Sequence, residues 1–152
     1  MKYRKILVPL DGSELAECAL PFARNLAKGV NFGEIILLYV VEINITTWQQ
    51  IKGVDYYEAR QTIINRAQKY ISGVESKLSH EDYKVKAELI ESNMSVRIIS
   101  DYAQENFVDL IVMATHGYTG IKKIKRLLGS VAFRVLDESL VPVLLIRPTC
   151  RS

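Results

Sequence analysis

Cysteine is nearly missing from this sequence, with Cys18 and Cys150 as its two examples in 152 residues. That excludes a fold built on a disulfide framework, so both side chains are expected as core or incidental thiols in a reducing compartment. Histidine is equally scarce, at His80 and His116. Neither has a neighbour at ligand spacing, so no dedicated metal site is expected. No apolar run approaches the roughly 18 residues that cross a membrane. The basic start, MKYRKILVPLDGS, meets Asp11 too soon to serve as a signal peptide. A cytoplasmic protein away from membranes is expected. Charge of one sign is also lacking. A net charge of +3 leaves no footprint for a polyanion, so no nucleic-acid partner is expected. No repeat, low-complexity linker or second domain stands out.

What is present is an ordinary globular composition, 49% apolar, at a length that suits one domain over residues 1–152. Short apolar runs alternate with longer stretches of helical period. KILVPL (5–10) and EIILLYVV (34–41) read as buried strands, as do VDLIVMA (108–114) and VPVLLI (141–146). YKVKAELIE (83–91) alternates instead, with Val85, Ala87 and Leu89 on one side. Helices are expected over 13–30, kinked at Pro21, and over about 55–78, 94–106 and 129–139. Residues 42–54, which include Trp48, form a connection without a clear period.

Strict alternation of strand and helix implies an α/β fold, a doubly wound five-stranded parallel sheet with helices on both faces. Strands 1, 2 and 4 are apolar throughout and belong in the centre. Strand 3 carries Lys84, Lys86 and Glu88, and strand 5 carries Pro142, so these two suit the edges. The order is then 3-2-1-4-5. Strand 5 is nevertheless strongly apolar, which predicts that another subunit covers it.

Ligands of such sheets collect outside the strand C-termini where the winding reverses, here between strands 1 and 4. The loops that leave these strands are PLDGS (9–13) and ATHGYTG (114–120), the most punctuated in the chain. Asp11 is either a turn and capping residue or a carboxylate that accepts from a ligand amine or hydroxyl. Its charge would repel a phosphate, so it should face the base or sugar end of a nucleotide. Gly117 and Gly120 permit left-handed backbone. Gly129-Ser130 opens a helix, whose free amides favour an anion. The basic residues Lys122, Lys123, Lys125 and Arg126 read as a solvated face. His116 lacks a cysteine or carboxylate partner and reads as a turn residue rather than a catalytic one.

KILVPLDGS, IILLYVV, DLIVMATHGYTG, LLGSVAFRVL and VPVLLIRP, in that order, resemble the landmarks of the universal stress protein family across essentially the whole chain. The resemblance implies a flavodoxin-like, adenine-nucleotide alpha hydrolase-like sheet and a homodimer paired through the last strand, Val141–Ile146. One branch of the family binds ATP through Gly, two residues, Gly, nine residues, Gly, then Ser or Thr. The aligned positions are Ala114, Gly117, Gly129 and Ser130. Ala114 replaces the first glycine, and residues 118–128 make the spacer two residues longer than the motif's. By resemblance, Pro9 and Asp11 line the adenine and ribose side and the backbone of Val40 meets adenine. Met113, Ala114 and His116 belong to the same wall, and Gly117, Gly129, Ser130 and Val131 approach the phosphates. Mg²⁺ would arrive with ATP.

The implied function is an ATP-binding regulatory module of the stress response. No GxxxxGK, no His-x-Gly-His and no base beside the phosphates is found. No catalytic residue is therefore assigned, and at most slow ATP hydrolysis is expected. Two alternatives stay open: a slow ATPase, and a dimeric stress protein that binds no nucleotide.

Overall fold

The computed structural model describes residues 3–43, 55–115 and 130–148. In chain order the elements are β1 (Lys5–Leu10), α1 (Glu14–Glu17), α2 (Leu20–Lys28), β2 (Gly33–Val41) and α3 (Tyr56–Leu78). They continue with β3 (Tyr83–Glu91), α4 (Ser95–Glu105), β4 (Leu110–Ala114), α5 (Ser130–Glu138) and β5 (Val143–Ile146). The strands form one parallel sheet in the order β3-β2-β1-β4-β5. Strand order and edge strands are those that the apolar and alternating patterns imply.

Because successive side chains of a strand point to opposite faces, the central strands feed two cores. Ile6, Val8, Ile35, Leu37, Leu110 and Val112 pack against Ala19, Ala23 and Ala27 and against Ile71, Val74 and Leu78 of α3. Leu7, Ile36, Leu38, Ile111 and Met113 pack against α4 and α5 through Val96, Ile99, Ala103, Ala132 and Val135. The alanine row lets the chain of α2 lie low on the sheet. At Gly33, where β2 begins, an added Cβ would sit 2.5 Å from the Ala27 carbonyl oxygen. Only glycine fits that approach.

The helix expected over 13–30 is two helices. α1 ends at Glu17 and α2 opens at Leu20, with Pro21 in its first turn. Proline has no N–H for the carbonyl four residues back and its ring clashes there. That carbonyl belongs to Glu17, so the chain breaks rather than kinks. The fourth strand begins at Leu110 rather than Val108. Before it, the Asp109 carboxylate accepts the N–H groups of Arg4 at 3.0 Å and Lys5 at 2.9 Å, tying the base of β4 to the start of β1. The last strand begins at Val143 rather than Val141. Ser139 Oγ binds both backbone groups of Val141, accepting its N–H at 3.0 Å and donating to its carbonyl at 2.8 Å. Pro142 then offers only its carbonyl, which accepts from Ile111 N at 2.9 Å. Cys18, expected as a thiol, is buried and disulfide-bonded. The chain's other cysteine, Cys150, lies outside the described residues.

Candidate functional site

The crevice has a topological cause. β1 pairs with β2 over six registered positions, ending at Leu10 opposite Tyr39, but with β4 only at Ile6–Leu110 and Leu7–Ile111. The two strands at the winding reversal therefore part toward their C-termini. β2 also outruns β1, since its pairing with β3 continues through Val41 opposite Glu91. The β1-facing backbone edge of Val40 and Val41 is thus left beside the opening. Pro9, in register with Leu38, has no N–H to donate to either neighbour.

A cavity of about 360 Å³ fills this crevice, a size that suits small-molecule ligands. Pro9, Asp11, Val40, Met113, Ala114 and Val131 all line it. Ser130 is the first residue of α5, and Val131 and Ala132 of that helix reach the cavity. His116, Gly117 and Gly129 lie outside the described residues, as do Gly120, Trp48 and the basic stretch 122–126.

The cavity has two chemically different halves. On the side of α4 and α5 it is mostly apolar, formed by Leu38, Val40, Ile99, Met113 and Ala132, with Ser95 at the start of α4. On the side of α1 and α3 it carries Asp11 and Tyr39 beside Ala16 and Ile63. Asp11 follows β1 and precedes Gly12, whose φ of +86° gives the left-handed turn that reverses the chain. Asp11 Oδ1 accepts from Ser13 N at 2.9 Å and from Ser13 Oγ at 2.5 Å. Ser13 Oγ in turn accepts from Ala16 N at 3.2 Å and caps α1. The cap is therefore Ser13, and both of these bonds fall on one oxygen of Asp11. The only charged residues among the described lining are the carboxylates Asp11 and Glu42. This end of the cavity suits hydrogen-bond donors and repels anions.

Behind Asp11 stands a tyrosine pair. The Tyr39 and Tyr70 rings meet edge to face, with centroids 5.7 Å apart and planes at 85°. The Tyr70 hydroxyl donates to Glu17 Oε2 at 3.0 Å. Burial, and then the neighbouring Glu17 carboxylate, push the Tyr70 pKa up. Burial, and then Asp11, do the same for Tyr39. Arg60 of α3 makes a two-pronged ion pair with Glu91 at the end of β3, its Nε–Oε1 arm at 3.2 Å.

Sequence reading alone did not single out Tyr39, Glu42, Ile63 or Ser95 as cavity residues. Tyr39 had a usable signal, the one hydroxyl within the apolar run IILLYVV. Ile63 did not, because the same helical period that turns it toward the sheet also carries it to the cavity.

Residues 2–147 match the sequence model of the universal stress protein family. The chain is 31% identical to the universal stress protein MJ0531 of Methanocaldococcus jannaschii, over 95% of this chain and 82% of that protein. It is 31% identical to MJ0577 of the same organism, over 95% of both chains. The solved structure of MJ0577 superposes with a TM-score of 0.80, covering 99% of this chain and all of that one. A universal stress protein from Archaeoglobus fulgidus, solved in complex with dAMP, superposes with a TM-score of 0.64 at 24% identity. It covers 97% of this chain and 100% of that one, and at this identity the likeness speaks for the fold.

Proposed function

Since the chain belongs to the universal stress protein family, we propose that it is an ATP-binding regulatory module that works as a homodimer. The observation that carries this reading is the divided cavity at the winding reversal. Its apolar half suits a purine ring, and the backbone edge of Val40 and Val41 offers the base polar partners. Asp11, on the other side, suits the sugar hydroxyls. The acidic lining keeps the phosphates away from that end. They would run toward the N-terminus of α5 at Ser130, where free amides and the helix dipole favour an anion. The complex of the Archaeoglobus relative with dAMP is in keeping with an adenine nucleotide. Among the described residues no three of His, Cys, Asp and Glu come together as a cation site. Mg²⁺ would then be carried on the triphosphate.

The dimer reading rests on a difference between the two sheet edges. Around β5 the exposed apolar side chains are Phe133 and Leu136 on α5, Leu140 in the turn, and Leu144 on the strand itself. Apolar side chains exposed at an edge strand invite a partner. At the other edge, β3 presents Lys84 and Lys86 to solvent, with Glu88 half-buried and paired to Lys86.

The deciding experiment is mass analysis of small molecules released from protein purified without added nucleotide, followed by titration with ATP. Bound ATP, or saturable binding below millimolar concentration, is the expected result. No ATP in the released material together with no binding at millimolar ATP would sink the reading. Ala114 favours a second reading, a dimer without nucleotide. Its methyl stands on the cavity wall where the motif has glycine. A null titration with an intact dimer would establish that alternative.

A further inference from the structure

Tyr39 is placed like a binding residue, yet no contact among the described residues accounts for its hydroxyl. Its ring is fixed by the edge contact with Tyr70, which is itself anchored through Glu17. The hydroxyl reaches over the turn after β1, where its oxygen lies 3.1 Å from the position a Cβ on Gly12 would take. It hydrogen-bonds to none of the described residues, whereas the Tyr70 and Tyr83 hydroxyls each have a partner. Tyr39 lines the same cavity as Asp11. A phenol without a partner among the described residues, rigidly held beside a ligand-sized cavity, offers its hydrogen bond to whatever fills that cavity.

Its chemistry complements that of its neighbour. Asp11 can only accept, and its Oδ1 is already engaged by Ser13. Tyr39 can donate as well as accept, since a phenol is protonated at neutral pH, and burial and then the Asp11 charge raise its pKa further. An acceptor and a donor side by side match a pair of vicinal hydroxyls, each of which donates to one partner and accepts from the next. Both groups sit on the polar side of the cavity, away from the apolar slot suited to a base.

We propose that Tyr39 is a second sugar-binding residue of this site, hydrogen-bonding a ribose hydroxyl alongside Asp11 and favouring ribonucleotides over their deoxy forms. The assignment rests on the nucleotide reading above. Gly12 belongs to the same arrangement, because any side chain there would meet the Tyr39 hydroxyl.

The test is a binding cycle by titration calorimetry. It uses ATP, 2′-deoxy-ATP and 3′-deoxy-ATP against the wild-type chain and Tyr39→Phe. Phenylalanine keeps the ring and its contact with Tyr70, and a melting curve checks the fold. Loss of one hydrogen bond should weaken ATP binding about three- to ten-fold in Tyr39→Phe. With the analogue that lacks the hydroxyl bound by Tyr39, the two proteins should bind alike. Equal weakening for all three nucleotides, or no weakening for ATP, overturns the Tyr39 assignment and leaves the nucleotide reading standing. Wild-type protein that binds none of the three overturns both.

Discussion

Glu75 Oε2 accepts the backbone N–H of Ala87 at 2.7 Å, so a side chain of α3 closes a hydrogen-bond position on the free edge of β3. An exposed edge strand is a template for unwanted pairing, and proteins block it in ways such as this. Glu75→Ala should lower stability by about 1–3 kcal/mol, the cost of leaving a part-buried amide without its partner. It should also promote concentration-dependent association through β3. Thermal melts and light scattering read the two effects. An unchanged melting temperature would show that the bond contributes nothing.

The opposite edge should behave in the reverse way. Leu140 is 80% exposed and Leu144 39% exposed, beside a strand of only four residues. If the β5 edge is the dimer contact, Leu144→Lys places a charge in it and should give a monomer with little loss of fold. Light scattering coupled to gel filtration at micromolar concentration decides it. A wild-type chain that already runs as a monomer would remove the premise.

The Tyr70–Glu17 pair predicts an alkaline weakness. The folded-state pKa of Tyr70 is raised above its ordinary value near 10, first by burial and then by Glu17. The folded state therefore holds the phenolic proton more tightly than the unfolded chain does. The resulting stability is fully present below about pH 10 and is lost as pH rises through the folded-state value. Tyr102, pushed up to about 12 chiefly by burial, adds to the same loss. Denaturant melts between pH 9 and 11 should show wild-type stability falling, and falling less steeply in Tyr70→Phe. Parallel pH profiles for the two proteins would rule the pair out as a contributor.

Strand order could be read from the chain because it depends on burial, and burial leaves its mark on every residue. Uniformly apolar IILLYVV had to be central, and alternating KVKAELIE had to be an edge. The break between α1 and α2 was harder to see, because the alanine face continues across it. Only the steric demand of Pro21 on the Glu17 carbonyl separates the two helices. Pro9 and Asp11 could be placed at the cavity because they stand at the end of a strand beside the winding reversal, where topology gathers residues, whereas Val40 was placed by the family resemblance. Tyr39, Ile63 and Ser95 come from different elements, and the shape of the cavity that unites them is a property of packing rather than of any local pattern.

Asp11 carries two jobs that one substitution can separate. Its Oδ1 holds Ser13 N at 2.9 Å, which sets the turn ahead of α1, while its charge faces the cavity. Asparagine keeps an oxygen for the Ser13 amide and gives up the charge. Asp11→Asn should therefore melt within about 0.5 kcal/mol of wild type, as asparagine and aspartate serve such turns comparably. ATP binding should fall about ten-fold or more, because hydrogen bonds to a charged acceptor are worth about 1.5–3 kcal/mol. Asp11→Ala should lose both turn and ligand contact, melting lower by roughly 1 kcal/mol. If Asp11→Asn binds ATP as tightly as wild type while Asp11→Ala loses stability, the carboxylate belongs to the turn alone and the sugar end of the site must be sought elsewhere.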